Sequence, residues 1–152
     1  MAVKMKTSVT LSVTAKCSSH SVAHVRTRDL ASIIDEPLER HGTNLGFTPT
    51  DTALSALAGC TNTIGQKCAS KLGVDIGNLE ISVKCRFNRL GVTLEEEIAT
   101  PFEEIDMVVI SNGSASQDEL NEVAMEVAKY CPPAKLFRGS GTIINEDWQK
   151  AG

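Results

Sequence analysis

The chain has 152 residues, a net charge of −4, 41% hydrophobic and 4% aromatic residues, and five cysteines. That length suits a single domain over 1–152, or one subunit of a small oligomer, and allows burial of roughly 68–70% of the unfolded surface. Mixed charges on a mildly acidic sequence exclude the basic stripe of a nucleic-acid binder. No apolar run approaches the roughly 20 residues of a membrane-spanning helix.

The first residues, Met1 to Lys6, carry lysines but no apolar core, so no secretion signal is expected there. The cysteines are Cys17, Cys60, Cys68, Cys85 and Cys131. Their number is odd and no C-x-x-C occurs, which argues against a disulfide framework and for free thiols in a reducing, cytoplasmic setting. Each cysteine alone reads as a small buried apolar residue. His20, His24 and His41 lack the paired spacing of a zinc site, so no metal is expected.

In chain order, Ser8 to Ala15 alternates Val9, Leu11, Val13 and Ala15 with Thr10, Ser12 and Thr14, the period of a half-buried strand. A serine-rich turn follows, then a second extended segment over residues 21–34, and the two predict a hairpin. A polar loop with Gly42 and Gly46 leads to Thr48-Pro49-Thr50-Asp51, a helix start. Thr48 suits the N-cap, Pro49 the first turn, and Asp51 the positive end of the helix dipole. The helix predicted from there ends at Leu72, with Gly73 just past its last residue. Its body is rich in Ala, Gly, Ser and Thr, which predicts a central helix packed on several sides.

Ile81, Val83 and Cys85 alternate with Ser82, Lys84 and Arg86 and predict a strand; Phe102 to Ile110 predicts another. Between them Glu95, Glu96 and Glu97 read as a solvated hairpin tip. Ser116 to Glu119 has the pattern of a capping box, opening a helix with Leu120, Val123, Ala124, Val127 and Ala128 on one face. A short helix over 133–137 and a last strand over 141–145 complete the order. Strands arriving in adjacent pairs predict an α+β fold with antiparallel sheets.

Two cysteines stand apart by context. Cys60 lies mid-helix, and Cys131 lies at a corner before Pro132 and Pro133. A thiol is nucleophilic only as the thiolate. Cys60 is too far from the helix start for the dipole to supply the charge. A cation from elsewhere is therefore required, and Arg26, Arg28, Arg40 and Arg138 are the candidates; on one strand Arg26 and Arg28 would share a face.

The run Thr48-Pro49-Thr50-Asp51-Thr52-Ala53-Leu54-Ser55-Ala56-Leu57-Ala58-Gly59-Cys60 resembles the cysteine helix of the OsmC/Ohr family, the osmotically inducible and organic hydroperoxide resistance proteins. Asp35-Glu36-Pro37 with its glycine loop, and Tyr130-Cys131-Pro132, are similar to two further motifs of that family, so the resemblance covers nearly the whole chain. It implies an OsmC-like fold in an intertwined homodimer, with sheets from both chains around two central helices. It also implies thiol-dependent reduction of organic hydroperoxides, and of hydrogen peroxide, without metal or flavin cofactor. Cys60 would be the peroxidatic thiol and Cys131 the resolving thiol, reset by a dithiol reductant. Arg26 or Arg28 would supply the activating cation, and Asp51 the acid near the start of the helix. In the hydroperoxide-specialised branch a glutamate follows the proline; here Thr50 stands there and Asp51 comes one residue later. Pro133 stands where the family has valine. The alternative function is a non-catalytic dimer of the same fold that holds a small hydrophobic ligand near the two cysteines.

Overall fold

The structure, a computed structural model, describes residues 5–152. The reading of the N-terminus as free of a secretion signal falls largely outside them. Two compact units divide the chain, residues 1–52 and 53–152. Among the described residues the order is β1 (Thr14–Cys17), β2 (Ala23–Thr27), β3 (Leu30–Ile34), α1 (Pro49–Leu72), β4 (Leu79–Phe87), β5 (Phe102–Ser111), α2 (Gln117–Tyr130), α3 (Pro132–Gly139) and β6 (Ile143–Lys150). The fold is α+β, as the sequence predicts.

In the first unit, β1, β2 and β3 form an antiparallel sheet in that order. The segment predicted as one strand over 21–34 is two, because the chain reverses at Arg28 and Asp29, with Thr27 opposite Leu30. Arg28 takes a left-handed φ of 53°, so it lies in the turn and shares no strand face with Arg26. The first strand is also shorter and later than predicted. Residues 8–13 join no ladder, and their apolar side chains are exposed: Val9 by 77%, Leu11 by 88%, Val13 by 67%. Alternation marks a strand's faces but cannot supply a neighbour to pair with.

The loop after β3 is tied by one buried carboxylate. Asp35 accepts hydrogen bonds from the backbone N–H of Glu36 (2.7 Å), Thr43 (3.2 Å) and Leu45 (3.0 Å), and from the Thr43 hydroxyl. The Thr43 hydroxyl bond is the largest cause holding its pKa well below the usual carboxylate range; burial opposes it, and the backbone N–H groups add to it. Gly42 and Gly46 let the loop close, since a Cβ at either would strike the backbone oxygen of Glu36 or Ile33. The loop delivers the chain to α1, where the Thr48 Oγ1 accepts from the Asp51 N–H at 3.0 Å, the predicted cap.

In the second unit, β4, β5 and β6 form one sheet in that order. β4 and β5 are antiparallel, with a register shift at Arg86/Phe87. β5 and β6 run parallel, which corrects the expectation of wholly antiparallel sheets. A parallel neighbour needs a long crossover, and the connection carrying α2 and α3 provides it. The last strand begins and ends later than predicted, because Gly141 (φ 100°) and Thr142 still belong to the turn leaving α3.

The core lies between this sheet and the helices. Leu79, Ile81, Val83, Cys85 and Phe87 point inward from β4, alternating with exposed neighbours. Ile105, Met107 and Val109 from β5 are at most 1% exposed. Leu120, Val123 and Val127 bury the predicted stripe of α2, each contributing about 1.5–3 kcal/mol. The Ser116/Glu119 capping box is present in full. Phe87, Phe102 and Phe137 stack edge to face at 5.1 Å steps. Contrary to expectation, α1 is buried along a single stripe, Leu57, Thr61, Gly65, Cys68 and Ala69. Gly65 meets Trp148 closely, whereas a Cβ at Gly59 would meet nothing within 4 Å.

Candidate active site

All five cysteines are reduced. Cys68 is buried in α1 and Cys85 faces inward from β4, whereas Cys17 lies exposed on β1 and departs from the buried apolar reading. Burial is the largest influence on the Cys68 and Cys85 thiols and pushes both up.

Cys60 and Cys131 differ from these because they meet. Cys60 sits on α1, half-buried, one residue before the inward-facing Thr61. Cys131 is the last cap of α2 and the first cap of α3, and its side chain is fully buried. The two-proline start of α3 fixes this corner: Pro132 and Pro133 occupy the first turn, where missing N–H groups cost nothing. The Cys131 thiol is within hydrogen-bonding reach of the Cys60 sulfur. Its pKa is pushed up to about 11, first by burial. The Ala134 N–H, which donates to its sulfur, opposes the rise, while Cys60 and the charge of Glu146 add to it. At neutral pH Cys131 is therefore a protonated thiol close to a second sulfur.

A charged pair lies in the same unit. Arg138 on α3 donates from Nη2 to Glu146 Oε2 on β6 at 3.1 Å, with the side chains 34% and 14% exposed. Arg138 was one of four candidate cations in the sequence. Glu146 gave no signal there, since it falls beyond the predicted last strand and interrupts the apolar face of β6.

The remaining predicted site residues lie on the first unit. Arg26 is exposed on β2, Arg28 in the β2–β3 turn, and Asp51 in the first turn of α1, also exposed. Shallow clefts line this sheet; one of about 510 Å³ is bordered by Val13, Val25, Arg26, Leu30 and Ile34. Among the described residues no cluster of His, Cys, Asp and Glu could hold a metal ion. No described helix is long and apolar enough to cross a membrane.

A mid-helix cysteine lies beside a second cysteine at a helix-to-helix corner of an α+β unit. The chain belongs to the OsmC-like protein family, whose family model matches residues 42–146, a span that includes both cysteines. No curated protein matches it in sequence. Solved structures match its fold closely. An OsmC-like protein from Mycoplasma pneumoniae has a TM-score of 0.78 at 20% identity, covering 95% of this chain and 99% of its own. An organic hydroperoxide resistance protein OsmC from Legionella pneumophila gives 0.70 at 15% identity, with coverage of 97% and 100%. The organic hydroperoxide resistance protein OhrB of Bacillus subtilis gives 0.64 at 18% identity, with coverage of 92% and 98%.

Proposed function

We propose that this protein is a thiol-dependent peroxide reductase acting on organic hydroperoxides. The observation that carries the reading is the approach of the two reduced thiols, Cys60 and Cys131. Cys60, as thiolate, attacks the distal oxygen of the hydroperoxide. The O–O bond breaks, the alcohol leaves with a proton, and Cys60 becomes a sulfenic acid. The Cys131 sulfur then attacks the Cys60 sulfur; the S–S bond forms, the S–O bond breaks, and the thiol proton leaves with the oxygen as water. A dithiol reductant restores both thiols by exchange. Arg26 or Arg28 supplies the cation that favours the Cys60 thiolate, and Asp51 supports the site from the start of α1. A reducing compartment such as the cytoplasm keeps the free cysteines in this working form.

The active form is a homodimer built from single-domain subunits. Supporting this is the thin interior of the first unit. It leaves Leu30 on β3, and Leu45 and Phe47 in the following loop, more than half exposed, together with the apolar residues ahead of β1. Units of this size are marginal alone. Light scattering at micromolar concentration is expected to give a dimer, and a monomer would contradict the intertwined arrangement.

Two variants test the chemistry. Cys60→Ser should abolish hydroperoxide consumption. Cys131→Ser should still turn over one equivalent and leave a sulfenic acid that a dimedone probe captures. Unchanged consumption by Cys60→Ser would refute the proposal.

A further inference from the structure

The sheet of the first unit has two unlike faces. On one, Ala15, Val25 and Ser32 stand in a row, and the apolar Ile34 and Leu30 lie on the same side. The other face carries two rows in register: Thr14, Arg26 and Ala31, then Lys16, His24 and Ile33. His24 and Arg26 are two apart on β2 and so share this side. Both are exposed, as are Thr14 and Lys16 on β1. Lys16 lies directly opposite His24 and diagonal to Arg26, at about the 7–8 Å that long side chains bridge. Together they border a cleft of about 800 Å³ whose far wall is Ala31 and Ile33 of β3.

The positive charge in this cleft is not neutralised. No residue bordering it is acidic. Among the described residues neither Lys16 nor Arg26 meets a carboxylate, whereas Arg40, Arg86 and Arg138 each do. The exposed face of the second sheet gives the contrast. There Lys84 is in register with Asp106, and Arg86 is in register with Glu104 and bonded to it at 2.9 Å. Like charges on neighbouring sheet positions are destabilising unless something of opposite sign joins them. His24 Nε2 and the Ser18 hydroxyl are hydrogen-bonded at 3.2 Å, which holds the ring at the edge of the group.

We propose that this face binds a small phosphate ester, with its phosphate among Lys16, His24 and Arg26 and its organic body over Ala31 and Ile33. An arginine fork matches two phosphate oxygens, and lysine adds a point charge. The cleft has the size of a small-molecule site, about 300–1,000 Å³. The cationic patch extends over two residues of each strand, about 7 Å, which suits one phosphate and not a run of them. The chain as a whole is −4, which opposes a long polyanion. Neither Cys60 nor Cys131 takes part. Arg26 is also a candidate for the cation that favours the Cys60 thiolate, so the test rests on Lys16 and His24.

Phenyl phosphate, a charged group on an apolar ring, is the probe. Calorimetric titration into the reduced full-length chain should give saturable binding at about a millimolar or tighter. Amide shifts in the labelled protein should centre on residues 14–16, 24–26 and 31–33. Lys16→Gln and His24→Gln should each weaken binding about two- to fivefold, and Lys16→Glu more than either. Arg89→Gln, which removes an exposed cation from the second unit, should leave it unchanged. Inorganic phosphate should bind more weakly than the ester, and benzyl alcohol should not bind. Thermal melting of each variant, expected to match the parent, separates lost binding from lost folding. Absence of saturable binding, affinity unmoved in folded Lys16→Glu, or amide shifts centred elsewhere would overturn the proposal. So would an ester that binds no better than phosphate, or a single-stranded oligonucleotide that binds more tightly and displaces it.

Discussion

At Gly65 α1 lies close against Trp148 and Leu79 of the sheet, and replacing it by valine tests that packing. A Cβ at this position would stand 3.2 Å from Cη2 of Trp148, 3.6 Å from Cδ1 of Leu79 and 3.8 Å from Cδ1 of Ile76. Ordinary carbon contacts fall at about 3.5–4.0 Å, so alanine already asks the indole to yield a few tenths of an ångström. Trp148 has little room to do so: it is 3% exposed, and its carbonyl is tied to α2 by the Gln117 amide at 2.6 Å. Valine adds two more carbons beyond that Cβ. Leaving glycine gains about half a kcal/mol of helix propensity for valine, against about 1 for alanine. Overpacking a closed core costs about 1–3 kcal/mol. The balance for Gly65→Val is a loss of about 2 kcal/mol, a fall in melting temperature of about 4–8 °C for a chain of this size. Urea denaturation and thermal melting, at one fixed protein concentration, measure it. A Gly65→Val variant as stable as the parent would refute the close approach of α1 to β6.

Asp35 ties the loop that leads into α1. Asp35→Asn should expose residues 36–47 to limited proteolysis while leaving α2 intact; an unchanged cleavage pattern would contradict the tie. Because its folded pKa is lowered, the stability it contributes is present above the ordinary carboxylate value of about 3.9 and is lost as pH falls through and below it. Acid unfolding of the parent should therefore begin in that window, and the Asn variant should lack that part of the pH dependence. Ser116→Ala removes the hydroxyl half of the capping box on α2 and should cost about 1 kcal/mol in urea denaturation.

Features set by neighbours in sequence were the most legible. The ends of α1 follow from Thr48, Pro49 and Gly73, and the start of α2 from Ser116 and Glu119; these interactions close within one helical turn. What depends on distant partners was not legible. Alternation at Ser8 to Ala15 is present in the sequence, but pairing begins only at Thr14. Arg28 and Asp29 lack the glycine or asparagine that marks a two-residue turn, so one strand was expected where two exist. The parallel placement of β6 depends on where a crossover returns. Glu146 escaped notice because a charge at a core-facing position breaks the apolar pattern. The meeting of Cys60 with Cys131 is a long-range event, and composition alone does not distinguish them from Cys68 or Cys85. Only the motif around each cysteine set the pair apart.

The proposed chemistry depends on the Cys60 and Cys131 sulfurs, and one experiment addresses them directly. Reduced protein is treated with one equivalent of an alkyl hydroperoxide, quenched by alkylation, and digested for disulfide mapping by mass spectrometry. The expected product is a Cys60–Cys131 disulfide with loss of two thiols, while Cys17, Cys68 and Cys85 remain alkylated. Hydroperoxide treatment that leaves Cys60 and Cys131 unlinked, or links either to another cysteine instead, would contradict it.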